Sequence, residues 1–430
     1  MERQKVELVK ELLKRIHQGA DPEQLKKEFA SALVQITPAE IVLIEQQLVR
    51  EGVPVQEILE LCDFHVALFR NFLASRELEG VPEGHPLDLL LKENELLLKW
   101  SEQLSLLARI IESSRDEELE GYFNQLKAVL QLMRSIRIHY RKVQMLIFPY
   151  LERRGITAVP RVLWAREDSV VFKLRELLKK AGGKLSPGDI RALAREAAEI
   201  AREVSELVFR ENKILYPAAW SLFSEGEWAA IAEEAESIGY LVKAEKKWVP
   251  RAEPVLPYQV EPSITPEQWE KLPPEFRTIG MQKLEPDTYK LVRSGDLDLG
   301  TGFLFLEEIK GIFKALPVEI TFADAEDRVR FFTEGYARAF VRTKTILGRR
   351  LLFCHPPRLE GFVKRNVEAL KRGEFNYREF WTRVGDRIVR VFVAAVRDSE
   401  GRYIGTLEVV EDLTEVVTKP EEVLKKVIVL

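Results

Sequence analysis

The sequence predicts a multidomain protein in which a mainly α-helical part is followed by an α/β domain with an antiparallel sheet. Residues 1–243 contain long runs of apolar residues at helical spacing, and a proline-rich stretch follows them. In residues 297–417 apolar and polar residues alternate with a period of two. We therefore expect five segments: a helical domain at 1–77, a four-helix bundle at 83–243, a linker at 244–296, the α/β domain at 297–417 and a tail at 418–430.

Composition narrows the class of protein. The 65 basic and 69 acidic residues give a net charge of −4, which argues against nucleic acid as a partner. No uninterrupted apolar stretch approaches the length of a membrane span, and the charged amphipathic start lacks the apolar core of a signal peptide. The two cysteines, Cys62 and Cys354, form no disulfide framework, so we expect a reducing, cytoplasmic location and no membrane partner.

A near-repeat organises the predicted bundle. Residues 139–151 read HYRKVQMLIFPYL and residues 208–219 read VFRENKILYPAA. Each is a helical pattern that ends in an aliphatic pair, an aromatic residue and a proline. Two pairs of helices with matching ends predict an antiparallel bundle with approximate two-fold internal symmetry.

Three of the predicted helices have one titratable residue on the apolar stripe. These are His139 on the stripe from Leu132 to Val143, Glu167 on the stripe from Trp164 to Leu178, and Glu211 on the stripe from Ile200 to Leu215. In the first helix Asp88 and Asn94 are the candidates. Burying such groups is costly unless they are paired. They either hold a metal, as inward His and carboxylates do in non-haem iron bundles, or hydrogen-bond one another and fix the register of the helices.

The middle of the chain resembles hemerythrin-like cation-binding domains over roughly residues 83–243. The resemblance rests on His85-Pro86, the LLLKENELL run, HYRK…LIFPYLERRGI, and ENKILYP with the following tryptophan and IGY. It implies a four-helix bundle with iron in its interior. On this basis the candidate metal ligands are His85, Asp88, His139, Glu167 and Glu211.

The chain departs from this family at several of the expected ligands. An H-x-x-x-E pair is usual on the second helix, but His139 is followed by Val143, with Gln144 beside it. Asp88 and Glu167 stand where the family usually has histidines, and Leu207 stands four residues before Glu211. A di-iron site needs several imidazoles and bridging carboxylates. The resemblance therefore implies a bundle that has kept its scaffold and lost much of its metal site.

The N-terminal segment has helix-start signals and a possible ligand pair. Thr37-Pro38-Ala39-Glu40 is a capping box with proline in the first turn. Cys62 and His65 form a C-x-x-H within one helical turn, which indicates either two buried packing residues or a contribution to a metal or haem site, since zinc needs four ligands. The stretch from ITPAEIVLI to CDFHVALF is similar to an uncharacterised helical domain that commonly precedes hemerythrin-like bundles and brings no established activity.

The C-terminal part has the order of elements of a sensor domain. After a linker with a short helix from Pro266, we predict two strands around residues 318–331, helices around 337–340 and 359–371, and three strands joined by turns at 385–386 and 399–401. ALPVEITFADAEDRVRFFTEG, ILGRRLLFCHPP and RDSEGRYIGTLEVVEDLTE resemble PAS domains. The resemblance implies a pocket for haem, flavin or a metabolite, and a surface for homodimer formation.

Cys354-His355-Pro356-Pro357 is the candidate ligand-binding motif of this domain. Either Cys354 and His355 bind haem or a metal or sense redox state, or the motif is the turn into the next helix, with proline at the helix entrance.

Together the resemblances imply a cytoplasmic sensory or regulatory protein. In it a PAS domain would sense a small ligand or redox state, couple to the partly degenerate hemerythrin-like bundle, and act through an unknown protein partner. The alternatives are a non-haem iron protein that binds O₂, NO or iron in the bundle, and an interaction scaffold in which both sites have degenerated. The chain has no Gly-rich phosphate loop and no catalytic triad, so we do not expect an enzyme.

Overall fold

The computed structural model describes residues 15, 78, 80–264, 286–334 and 339–428. The predictions for residues 1–77, including the capping box at Thr37 and the Cys62/His65 pair, lie outside the described residues. So do the helix expected from Pro266 and the first half of the one expected around residues 337–340. Residues 339–340 are described and form a bend, so the prediction of a helix is wrong there. The chain divides into two compact units, residues 1–290 and 291–430.

The first unit contains a four-helix bundle in which two of the four rods are interrupted, followed by a further helix, α8. The helices of this unit are α1 (Pro86–Ser113), α2 (Leu119–Met133), α3 (Ile136–Lys142), α4 (Phe148–Arg153), α5 (Ala158–Lys180), α6 (Pro187–Arg210), α7 (Tyr216–Leu222) and α8 (Glu225–Ile238). Helix α1 packs against α6 and α2, and α6 also packs against α5. The second rod comprises α2 to α4, and the fourth comprises α6 and α7. The described helices include none that is both long and apolar enough to cross a membrane.

Two π-helical turns lie at the equivalent places of the near-repeat. They span Val143–Ile147 and Glu211–Leu215, and each is followed by an aromatic residue and a proline. In each turn the N–H of the aromatic residue donates to the carbonyl five residues before it, from Phe148 to Val143 and from Tyr216 to Glu211. A proline lacks the N–H and its ring clashes with the carbonyl four residues before it, so the wider turn relieves this clash. The repeat in the sequence therefore marks two matched interruptions.

The apolar stripes agree with the predicted ones only in part. On α6 and the following turn, the stripe from Ile200 to Leu215 is buried throughout, including Glu211. On the other two rods the first residue of the predicted stripe is exposed: Leu132 by 54% and Trp164 by 41%. Leu132 precedes the break between α2 and α3, which shifts the helical phase. On α5 the buried face runs through Val159, Leu163, Glu167, Val170 and Leu174, and Trp164 lies one residue outside it.

The start of the proline-rich segment lies against the bundle. The N–H of Val255 donates to the Gly226 carbonyl at 2.9 Å, and the Tyr150 hydroxyl donates to the Val255 carbonyl at 2.8 Å. Arg153 Nε donates to the Val260 carbonyl at 3.1 Å. Gly226 is required at this contact, because a Cβ there would lie 2.7 Å from the Glu253 carbonyl oxygen. The segment that we expected to be a linker thus begins as an extended strap bound to α4 and α8.

The second unit is built around a five-stranded antiparallel sheet. After the short pair β1 (Leu297–Asp298) and β2 (Phe303–Leu304) come α9 (Leu306–Ala315), β3 (Glu319–Asp324), β4 (Val329–Phe332), α10 (Pro357–Arg372), β5 (Tyr377–Val384), β6 (Arg387–Arg397), β7 (Tyr403–Asp412), α11 (Thr414–Thr418) and α12 (Pro420–Lys425). The sheet order is β4-β3-β7-β6-β5. The predicted strands are therefore present, and the predicted turns at 385–386 and 399–401 join β5 to β6 and β6 to β7.

The two faces of this sheet are covered to different extents. Helix α10 packs on one face, where the rings of Phe362 and Phe380 are 4.9 Å apart and Leu370 and Val389 are fully buried. On the other face Phe313 of α9 contacts Phe331 at a ring distance of 4.9 Å. The strands farther from α9 on that face keep large exposed side chains.

Candidate site in the helical bundle

His139 lies at the centre of a buried polar cluster. It is fully buried in α3, one turn before the first π-helical turn. Its Nδ1 is 2.7 Å from Glu93 Oε2, and its Nε2 is 2.9 Å from Glu211 Oε2. Burial alone would lower the pKa of His139, but the Glu211 and Glu93 carboxylates outweigh it and raise that pKa to about 9. At neutral pH the ring is therefore an imidazolium that donates to one carboxylate from each nitrogen.

Glu93 joins His139 to the end of the bundle. Its second oxygen, Oε1, accepts from Lys142 Nζ at 2.7 Å and from the backbone N–H of Leu241 at 2.8 Å. Burial raises the pKa of Glu93, but hydrogen bonds and charges from His139 and Lys142 give a net lowering. Lys142 also donates to the Gly239 carbonyl at 2.6 Å, and its Nζ lies 4.7 Å from the centre of the Tyr240 ring. Burial lowers the pKa of Lys142, against the opposing effect of Glu93.

Glu211 is held by three donors on one oxygen. Besides His139, its Oε2 accepts from Asn94 Nδ2 at 2.9 Å and from the Tyr216 hydroxyl at 3.0 Å. Glu211 begins the second π-helical turn and Tyr216 directly follows it. This turn brings the two side chains together over a separation of five residues, so the proline-induced interruption shapes the site.

Glu167 lies in the same interior but in a different state. Its Oε2 accepts from Gln144 Nε2 at 2.6 Å. Burial, and then the nearby Glu211 carboxylate, raise the pKa of Glu167 well above its usual value, which favours the neutral acid. Glu167 Oε1, Glu211 Oε1 and Asn94 Oδ1 are buried and have no hydrogen-bond partner among the described residues. The two cations, His139 and Lys142, thus face two carboxylates, Glu93 and Glu211.

His85 and Asp88 belong to the start of α1, where both cap the helix. His85 Nδ1 accepts from the Leu87 N–H at 3.1 Å, and Asp88 accepts from the Gly84 N–H at 2.8 Å and from Lys92 at 2.9 Å. The buried His85 ring lies among Trp220, Trp228 and Trp248, with ring distances of 5.2, 4.9 and 4.5 Å. Burial lowers the pKa of His85 to about 4, although Asp88 opposes this effect. The structure therefore brings together His139, Glu167 and Glu211 but not these two residues.

The donor set does not match the di-iron centre that the family resemblance implies. A di-iron centre uses several imidazoles and bridging carboxylates. Here one imidazole is present, and each of its nitrogens already contacts a carboxylate. Within the described ranges no group of three or more His, Cys, Asp or Glu side chains is arranged to hold a metal ion. The atoms left for a single cation are the unpartnered oxygens of Glu167, Glu211 and Asn94.

Three residues of the cluster escaped the sequence prediction: Glu93, Lys142 and Tyr216. Glu93 lies on the stripe formed by Leu90, Leu97 and Leu104, so the helical spacing could have revealed it. Lys142 follows His139 by three residues, but a lysine is usually exposed and its sequence position does not indicate burial. Asn94, an open candidate from the sequence, is buried within the cluster.

Cys354 and His355 lie at the entrance of α10. Cys354 ends a 3₁₀ turn (Leu351–Cys354), and its Sγ is 3.7 Å from the Arg350 carbonyl oxygen. Partial burial raises the pKa of the Cys354 thiol, so the thiolate is disfavoured. His355 Nδ1 is 2.9 Å from the Leu351 carbonyl oxygen, and Pro357 begins the helix. These contacts agree with a structural turn.

Comparisons with known proteins find three segments in the chain. Residues 9–75 match a family of unknown function (DUF438), residues 85–219 match the hemerythrin HHE cation binding domain, and residues 309–414 match the PAS domain. This chain is also similar to a crystal structure of a C-terminal domain from Streptococcus mutans, with 32% sequence identity and a TM-score of 0.28. The match covers 31% of this chain and 99% of that chain. A comparison with curated protein sequences found no match. The chain therefore joins a segment of unknown function, a hemerythrin-type bundle and a PAS domain, in that order.

Proposed function

We propose that the chain is a sensory or regulatory protein and not an enzyme. In this proposal the PAS domain senses a small ligand or redox state in the cytoplasm, the bundle is coupled to it, and the output is an interaction with another protein. Hemerythrin-type and PAS domains together fit a sensory or regulatory role or iron binding. What favours the regulatory role is the way in which the interior of the bundle is connected to the chain that leaves it.

Glu93 makes that connection. One of its oxygens holds His139, and the other holds both Lys142 and the Leu241 N–H, while Lys142 holds the Gly239 carbonyl. Residues 239–241, which we call the exit segment, follow α8 in the sequence and precede the strap. A change at His139 therefore alters the hydrogen bonds of the exit segment through a single intervening side chain.

The charge balance of the cluster supports the same role. His139 and Lys142 supply two positive charges within the protein, and these charges contact the buried Glu93 and Glu211 side chains. Removing one partner of such a buried set is strongly destabilising, because a charge is then left uncompensated. In this proposal the intact cluster holds the exit segment through Glu93 and Lys142, and loss of one of the buried charges releases it.

Hydrogen exchange on the full chain tests this coupling. Glu93→Gln is expected to speed amide exchange in residues 239–264 about tenfold or more, and to change exchange in the PAS strands β3 and β7. Glu95→Gln, an exposed neighbour on the same helix, is the matched control and should leave both regions unchanged. Faster exchange in the strap with no change in the PAS strands would show that the bundle and the PAS domain are not coupled, and would overturn the proposal.

Iron binding in the bundle is the second candidate, and the unpartnered oxygens of Glu167, Glu211 and Asn94 favour it. Anaerobic purification followed by metal analysis and absorption spectra before and after O₂ separates the two functions. The regulatory proposal expects no stoichiometric iron in the bundle. Stoichiometric iron that is lost in Glu211→Gln and retained in Glu95→Gln would establish the second candidate instead. A haem band would identify the ligand of the PAS domain.

A further inference from the structure

Strand β5 is an edge strand with a free side. In the sheet order β4-β3-β7-β6-β5 its paired neighbour is β6, with partners running from Tyr377 opposite Ala394 to Val384 opposite Arg387. Its hairpin turns tightly at residues 385–386, where Gly385 adopts a positive φ of 59°. No other described strand pairs with β5.

The backbone groups that point to the free side can be assigned from the register. The Ala395 N–H donates to the Asn376 carbonyl at 2.9 Å, and the hairpin closes on Val384 and Arg387. In an antiparallel ladder the residues that bond a neighbour alternate along the strand. The even-numbered residues from 376 to 384 therefore face β6. Tyr377, Glu379, Trp381 and Arg383 present their N–H and C=O groups to the free side.

The side chains of these same four residues are exposed. Tyr377 is 59% exposed and Trp381 is 52% exposed. Glu379 has its nearest ion partner, Arg390, at 3.6 Å, while Arg390 itself is bound more closely by Glu411 at 2.5 Å. Arg383 forms no ion pair with the described residues. Proteins usually protect an exposed edge strand with charges, but here the charges have opposite sign on the two sides of a tryptophan.

We propose that the free edge of β5 pairs with β5 of a second copy of this chain, antiparallel, with the two-fold axis at Trp381. In this register Trp381 lies opposite its own copy, and Glu379 lies opposite Arg383 of the second copy, twice. These are the pairs whose N–H and C=O groups face each other, so the ladder can continue across the axis. Registers centred on Glu379 or Arg383 would instead place like charges opposite each other, which is destabilising.

The pairing accounts for the order of residues along β5, in which Trp381 stands between Glu379 and Arg383. Backbone hydrogen bonds supply the attachment, the paired tryptophans supply apolar contact, and the two Glu–Arg pairs select the register. One edge strand buries less surface than a permanent interface, so we expect a dimer that dissociates on dilution. This inference concerns a different surface from the bundle and does not depend on the proposed function.

Charge exchange tests the register. Sedimentation velocity of the full chain across a concentration series should show reversible dimers. Glu379→Arg places Arg against Arg, and Arg383→Glu places Glu against Glu, so each single variant should raise the dissociation constant at least tenfold. An equimolar mixture of the two variants pairs opposite charges at both positions, and should dimerise as the original protein does. The double variant Glu379→Arg with Arg383→Glu should do the same.

Glu326→Arg is the matched control, because it makes the same charge change at an exposed turn between β3 and β4. It should leave the dissociation constant unchanged. A chain that stays monomeric at every concentration would overturn the proposal. So would dimers that tolerate both single variants, or single variants whose mixture does not recover dimerisation.

Discussion

Glu93 is the nearer of the two carboxylates that contact the buried His139 ring, with 2.7 Å between Glu93 Oε2 and His139 Nδ1. The same carboxylate accepts the Leu241 N–H through its other oxygen. Glu93 therefore contacts both a buried cation and the backbone of the exit segment.

Replacing Glu93 should destabilise the bundle. Glu93→Gln removes the charge that compensates His139 and Lys142, and breaking a buried ion pair costs about 3–5 kcal/mol. We expect a loss of about 3 kcal/mol in the free energy of unfolding, measured by urea denaturation with far-UV circular dichroism. Glu95→Gln should change it by less than about 0.5 kcal/mol, as surface substitutions do. Equal effects of the two variants would contradict the assignment.

Glu167 and Glu211 should respond differently to the same substitution. Burial and the nearby Glu211 carboxylate raise the pKa of Glu167, which favours its neutral acid, so the neutral amide of Glu167→Gln should alter stability by less than about 1 kcal/mol. Glu211→Gln removes a carboxylate that His139, Asn94 and Tyr216 all contact, and should cost about 3 kcal/mol. The comparison uses the same unfolding measurement at pH 7. A larger loss for Glu167→Gln would mean that Glu167 is ionised.

Stability should fall at alkaline pH because of His139. Its pKa is raised from 6.5 to about 9 in the folded protein, so folding favours the protonated ring. This contribution is fully present below pH 6.5 and is lost as the pH rises through about 9. Its size is of the order of 3 kcal/mol, from 1.36 kcal/mol for each pKa unit. Nuclear magnetic resonance of the ring should show titration near pH 9, and titration near pH 6.5 would contradict the paired geometry.

His85 should produce the opposite dependence at acid pH. Its pKa is lowered to about 4 by burial among three tryptophans, so folding favours the neutral ring. This contribution is fully present above pH 6.5 and is lost as the pH falls through about 4. His85→Gln should flatten the loss of stability between pH 6.5 and pH 4, measured by urea denaturation. An unchanged slope in that range would show that another group is responsible.

Attachment of the strap should depend on Gly226. In Gly226→Ala the new Cβ would lie 2.7 Å from the Glu253 carbonyl oxygen and 2.8 Å from Val255 Cγ2, so the strap must shift. We expect a cost of about 1–3 kcal/mol, as for overpacking, and faster proteolysis within residues 250–260. Gly121→Ala, also in a helix, meets nothing within 4 Å and should stabilise the protein by about 0.5 kcal/mol. Intact strap protection in Gly226→Ala would contradict the contact.

Much of the architecture is determined by local pattern. The sequence alone predicts the bundle, its matched halves, the β strands and two of the tight turns, because helical and strand periodicity and turn residues act over short stretches. It also identifies His139, Glu167 and Glu211 as interior groups, since each stands at helical spacing among apolar residues.

Only the tertiary structure decided which of these groups meet and in what ionisation state. His85 fits a ligand pattern in the sequence, yet it caps α1 among tryptophans contributed from residues more than 130 positions away. Lys142 is a surface residue by type, and it is buried because Glu93 and the Gly239 carbonyl, both distant in sequence, converge on its ammonium group. Contacts of this kind depend on how the helices pack and where the π-helical turns place the side chains. A one-dimensional pattern contains the periodicity of each helix but not the distances between charges on different helices.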